Sequence, residues 1–124
     1  MRKRVLVVDD DRLVADTLSL IFEANGFQAE ACYSAADGLE RARSFAPQLL
    51  LCDVTMPEEN GLQLAEKMHR EMPECKMLML TAYSSNAMQV ELHSEQTKRP
   101  LKLLNKPCQP ELLLKEAAEL LRTA

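Results

Sequence analysis

Apolar positions along the chain follow two spacings that alternate. Short unbroken apolar runs lie at about Arg4–Val8, 27–32, 48–52, 76–80 and 101–105, and each is followed by a longer segment that can be helical. Unbroken runs of this length suit strands buried on both faces; recurrence every three or four residues suits amphipathic helices. Repetition of the pair five times is the signature of βαβ units and a parallel sheet. The first helical segment shows the pattern best: Leu13, Val14, Thr17, Leu18, Ile21 and Phe22 fall on one face, and Gly26 supplies a stop. Next, "SAADGLERARSF" opens with Ser34 and Asp37 at capping-box spacing and ends before Pro47. In "GLQLAEKMHREMP" Leu62, Ala65 and Met68/His69 stand one turn apart, and "QPELLLKEAAELL" places Pro110 at a first helical position. A further helix is expected somewhere in 84–98, where the periodicity is weak. No linker interrupts the pattern, so residues 1–124 read as one domain.

Composition agrees with that reading. A chain of 124 residues suits a single domain that buries roughly two thirds of the surface its unfolded form exposes. With 47% apolar and 27% charged residues and no low-complexity tract, it is an ordinary globular sequence. A net charge of −4 argues against nucleic acid or an anionic membrane as the partner. Cys32, Cys52, Cys75 and Cys108 never fall in CxxC spacing, and packed reduced thiols are expected rather than disulfides or zinc ligands. The opening "MRKRVLVV" carries an apolar run too short for a signal sequence or a membrane span, which points to a cytoplasmic protein.

The chemistry is concentrated where strands end. The first strand runs directly into Asp9, Asp10 and Asp11, three like charges whose repulsion and burial need an offset from a cation, a helix N-terminus or water. In a parallel sheet the residues just past each strand gather along one edge, and open α/β sheets bind ligands at that edge. Here it would collect Asp9 and Asp10 after the first strand, Asp53 after the third, Thr81 after the fourth and Lys106 after the fifth. Clustered carboxylates suit Mg²⁺, a hard cation taking oxygen ligands. A lysine and a hydroxyl opposite them suit phosphoryl oxygens.

In order and over nearly the whole chain, "VLVVDD", "LLLCDVTMPEENGL", "MLMLTAY" and "LLNKP" resemble the receiver domain of bacterial two-component response regulators. The resemblance implies a flavodoxin-like, doubly wound five-stranded parallel sheet of strand order 2-1-3-4-5. It implies that Asp53 is the phosphoacceptor, its carboxylate attacking a phosphoryl group to give an acyl phosphate. Asp9 and Asp10 would hold Mg²⁺, with Asp53 and the backbone carbonyl of Thr55 completing the protein ligands. Thr81 and Lys106 would contact phosphoryl oxygens, and the Lys106–Pro107 bond resembles one that is cis in the family. Asp11 is expected in the first turn of the following helix, favoured there by the helix dipole. The implied partners are a histidine kinase or phosphotransfer protein and a downstream protein or output domain, with no direct contact to nucleic acid or membrane. A monomer or weak dimer is expected, and a signalling domain that promotes its own aspartyl phosphorylation and dephosphorylation rather than an enzyme acting on a separate substrate.

Two other functions share parts of this pattern. A pseudo-receiver would keep the fold and bind a partner without being phosphorylated; the intact Asp9, Asp10, Asp53, Thr81 and Lys106 weigh against it. An aspartyl-phosphate phosphatase uses a DxDx[TV] motif, and "DVTMP" lacks the second aspartate. His69 and His93 read as solvated surface residues, Met77 and Met79 as core filler, and Lys98, Arg99 and Lys102 as a solvated turn. The chain departs from the family's pattern at Leu103, where receivers usually carry an aromatic residue, and at Arg99 and Pro100. These departures leave the phosphorylation chemistry intact but change the surface that reports it.

Overall fold

The structure, a computed structural model, describes residues 2–81, 102–106 and 108–122. Strand β1 (Arg4–Val8), helix α1 (Arg12–Ala24), β2 (Gln28–Cys32), α2 (Ala35–Phe45), β3 (Leu49–Asp53), α3 (Gly61–Glu71), β4 (Lys76–Thr81), β5 (Lys102–Asn105) and α4 (Pro110–Arg122) follow in order. The strands form one parallel sheet in the order β2-β1-β3-β4-β5. This is the doubly wound topology expected above.

Side chains alternate across the sheet and so divide the core in two. Leu6, Val8, Leu50, Cys52, Met77 and Met79 pack with α2 and α3, joined by Ala42, Phe45, Leu64 and Met68. Val5, Val7, Leu49, Leu51, Leu78 and Leu80 face the other way, against Phe22 of α1 and Leu113 and Ala117 of α4. Burying each such leucine stabilises the fold by roughly 1.5–3 kcal/mol. Met77 and Met79 are core residues as expected.

Helix boundaries follow local chemistry. Ser34 caps α2 by accepting the Asp37 N–H at 3.1 Å, and that helix ends at Ala46, whose φ of 51° places a non-glycine residue in the left-handed region. Pro110 opens α4, where its missing N–H costs nothing. Gly26, with φ 91°, turns the chain after α1 toward β2.

Several expectations need correction. Asp53 and Thr81 are the last residues of their strands rather than the first beyond them, because their backbones still pair with Leu80 and Asn105. Leu13 does not face the core: α1 buries Ala15 and Phe22, leaving Leu13 76% exposed, so the inward face lies one position round the helix from the one inferred. His69 is only partly exposed and its Nδ1 is buried without a hydrogen-bond partner, since it lies on the same side of α3 as Leu62 and Ala65. Lys102 opens β5 and pairs with Glu116 at 3.4 Å instead of lying in a turn. The helix expected in 84–98, His93, Lys98, Arg99, Pro100 and Pro107 lie outside the described residues. All four cysteines are free thiols. Burial pushes the Cys75 thiol up to about 12 and the Cys52 thiol well above its usual range, which fits packed, unreactive groups.

Candidate functional site

The C-terminal edge of the sheet brings the predicted residues together. Asp9 leaves β1 almost fully buried, and its N–H donates to the Cys32 carbonyl at 3.1 Å, which extends the β1–β2 ladder by one bond. Lys106 leaves β5 held in the same manner, its N–H donating to the Thr81 carbonyl at 2.7 Å. Two strand ends on opposite sides of β3 are thereby aimed at Asp53 between them. The Lys106 ammonium lies 2.7 Å from Asp9 Oδ2 and 3.3 Å from Asp53 Oδ2. Thr81 is fully buried beside them.

The three consecutive aspartates meet three different fates. Asp9 takes the Lys106 ammonium on one oxygen and accepts the Asp11 N–H on the other at 3.0 Å. Asp10 is exposed to water. Asp11 is the N-cap of α1 rather than a first-turn residue, and its Oδ1 accepts the N–H groups of Leu13 and Val14 at 3.1 and 3.3 Å. The charges are thus offset separately by a cation, by solvent and by a helix N-terminus.

Asp53 is nine-tenths buried and accepts the Thr55 N–H on Oδ1 at 3.3 Å. Burial holds its pKa above the ordinary carboxylate range; Lys106 pulls it down and Asp9 pushes it further up. Lys106 loses from its own burial, yet the Asp9 hydrogen bond and the charges of Asp53 and Asp9 outweigh that and raise its pKa. One ammonium faces two carboxylates, so the attraction that raises the lysine comes from both of them, while at Asp53 burial outweighs the pull of the single lysine.

The carboxylate oxygens of Asp9, Asp10 and Asp53 can all lie within 4.8 Å of one another, the one such acidic group among the described residues. A set of three hard oxygens suits Mg²⁺ in kind. The expected fourth ligand, the Thr55 carbonyl, belongs to the loop that follows Asp53. That loop is pinned to α3. Asn60 and Gln63 bond reciprocally in a capping box, Glu59 pairs with Lys67 at 3.0 Å, and Gly61 N–H donates to the Val54 carbonyl at 2.9 Å. Glu58 reaches a φ of 66° within it.

Sequence reasoning missed three features of this edge. The capping box was legible as "NGLQ", asparagine followed three residues later by glutamine. The close approach of Gly61 to the Asp53 carbonyl oxygen, 2.2 Å from where a Cβ would stand, leaves no local signal. Neither does the rim on the β2 side, where Tyr33 donates to Asp16 at 2.6 Å under the Arg12 guanidinium, 4.2 Å from the ring centre. Leu103, at the position where the aromatic was expected, is half-buried against the α2/α3 side of the core and in register with Met79.

Comparison with known proteins decides the family. Residues 5–118 match the response regulator receiver domain. The chain belongs to that family. The receiver is 35% identical over 85 residues to response regulator MprA of Mycobacterium ulcerans, covering 68% of this chain and 37% of that protein. It is 34% identical over 82 residues to MprA of Mycobacterium avium, covering 66% and 36%. The receiver thus spans little more than a third of the length of these curated relatives. The CheY-like receiver domain protein of Methanospirillum hungatei superposes with a TM-score of 0.88 at 31% identity, over 98% of this chain and 94% of that one. The chemotaxis protein CheY4 of Vibrio cholerae, at 24% identity and a TM-score of 0.84 over 97% and 99%, shares the fold. Among the described residues no helix is long and apolar enough to cross a membrane.

Proposed function

We propose that this receiver domain accepts a phosphoryl group on Asp53 in a Mg²⁺-dependent reaction and passes the signal on by a shift in conformation. The observation that carries the reading is the arrangement at the sheet edge: a nearly buried carboxylate with a lysine ammonium at 3.3 Å and two further carboxylates on the neighbouring strand end. An oxygen of Asp53 attacks phosphorus, a new O–P bond forms, and the donor's P–N or P–O bond breaks with its electron pair leaving on the donor. Little covalent chemistry is asked of the protein, so position and charge carry the effect. The Lys106 ammonium neutralises charge on the phosphoryl oxygens, and the Thr81 hydroxyl donates to one of them. A magnesium ion held by Asp9, Asp10, Asp53 and the Thr55 carbonyl would supply further charge neutralisation there. The donor is a histidine kinase or phosphotransfer protein, and the reader a downstream protein or an output domain; we place the domain in the bacterial cytoplasm. The domain is a substrate that promotes its own modification and its reversal, not an enzyme turning over other molecules.

The test is the mass of the protein after incubation with acetyl phosphate or phosphoramidate and Mg²⁺. One phosphoryl group, labile to hydroxylamine and absent from Asp53→Asn, is expected. Persistent labelling of that variant would overturn the assignment, and an unlabelled wild type under every donor would favour the pseudo-receiver.

A further inference from the structure

Resting on the phosphoacceptor reading above, we propose that Gly61 is a positioning residue: its missing side chain lets the first turn of α3 lie against the backbone of Asp53, and that contact sets where the acceptor carboxylate stands. A Cβ placed on Gly61 would fall 2.2 Å from the Asp53 carbonyl oxygen, 3.0 Å from its carbonyl carbon and 2.9 Å from Met79 Cε. The methionine methyl is the end of a flexible side chain and can move aside. The carbonyl cannot move alone. Asp53 is paired with Leu80 in the sheet, Val54 N–H donates to the Leu80 carbonyl at 2.8 Å, and Gly61 N–H donates to the Val54 carbonyl at 2.9 Å. The peptide carrying the acceptor is therefore gripped by β4 on one side and by α3 on the other.

Helix α3 has no room to retreat either. Leu62, Leu64, Ala65 and Met68 anchor it in the core, and the Asn60–Gln63 box fixes its first turn. Conformation does not explain the glycine, because Gly26 alone among the glycines takes a positive φ. Gly38 shows the contrast: its Cβ would meet a side-chain methyl of Val8 at 2.8 Å, a group that rotates. At Gly61 the obstacle is the main chain of the reacting residue itself. Any side chain there has to displace the Asp53 peptide or the helix that seats it.

Phosphorylation of Gly61→Ala is measured at saturating donor and Mg²⁺, well below its melting temperature, beside Gly26→Ala. The second variant is strained by its φ of 91° but lies at the far end of the sheet with nothing within 4 Å of its Cβ. Since displacement of a reacting group by about 1 Å can cost on the order of a hundredfold, the maximal rate of Gly61→Ala should fall at least about tenfold. Gly26→Ala, though destabilised, should stay within about twofold of the wild type, because nothing near Asp53 has moved. Where Gly61→Ala does not fold, Asn60→Ala loosens the same seat without a collision; it should phosphorylate more slowly than Gly26→Ala and speed hydrogen exchange at the Val54 amide. Labelling of folded Gly61→Ala at the wild-type rate, or wild-type rate and exchange in Asn60→Ala, overturns the inference. A wild type that takes no label overturns the phosphoacceptor reading instead.

Discussion

Replacing Lys106 with methionine removes the one ammonium shared by Asp9 and Asp53 while keeping most of the alkyl stem. At an effective dielectric constant of about 20, a charge pair at 2.7 Å is worth about 6 kcal/mol and one at 3.3 Å about 5 kcal/mol before desolvation is subtracted. Taking the three groups out of water offsets most of that. What remains after one partner of a buried pair is deleted is typically about 3–5 kcal/mol. The Lys106 side chain keeps 21% of its exposure and Asp10 opens the site to water, so the lower end, about 3 kcal/mol, is expected. For 124 residues an unfolding entropy of about 2.1 cal/mol/K per residue converts this to a fall in Tm of about 12 °C. Mg²⁺ should shrink the deficit, because the metal restores positive charge between the orphaned carboxylates. Circular dichroism melts of wild type and Lys106→Met, with and without Mg²⁺, measure both effects. A fall of less than about 3 °C, or one that Mg²⁺ leaves unchanged, would show that the lysine is not the counter-ion of this site.

Asp53→Asn should melt higher than the wild type at neutral pH without metal. The folded carboxyl titrates above its unfolded value, so its burial costs stability as pH rises from the ordinary carboxylate range through that raised value; the advantage of the variant should vanish on acidification, and pH-dependent melts check the sign. Mg²⁺ should raise the wild-type melting temperature, and Asp10→Ala should cancel the rise while making the metal-free protein no less stable; calorimetry with and without the ion decides it. Ala46→Gly relieves a left-handed alanine at an exposed helix end and should stabilise by about 0.5–1 kcal/mol, read as a higher denaturant midpoint with labelling of Asp53 unaffected.

The strands and the site were legible for the same physical reason. A strand buried on both faces must be apolar throughout, so its end is marked by the first charge or hydroxyl, and in a parallel sheet all such ends share one edge. Asp9, Asp53, Thr81 and Lys106 are marked in this way in the sequence and lie together at that edge. The orientation of α1 was not, because Leu13 and Val14 supply apolar area that tertiary packing leaves beside an open groove. The partial burial of His69 was written in its spacing from Leu62 and Ala65, but a histidine's polarity points to solvent as readily as its spacing points to the core. Gly61 was invisible for a different reason: the letter G is the same whether it serves a turn or a close approach, and only the position of the Asp53 carbonyl distinguishes them.

The division of the core by the sheet bears on how such a domain can be recombined. Among the described residues the α2/α3 layer and the α1/α4 layer share no buried side chain, so a designer could exchange the outer surface of one layer for that of a relative and leave the packing of those residues in the other untouched. The first turn of α3 is the exception, since it belongs at once to its layer and to the seat of Asp53. A chimera that keeps residues up to the Asn60–Gln63 box from one parent and takes the rest of α3 from another preserves the edge that carries Asp53, whereas a junction placed between Asp53 and Gly61 divides the seat from the residue it holds.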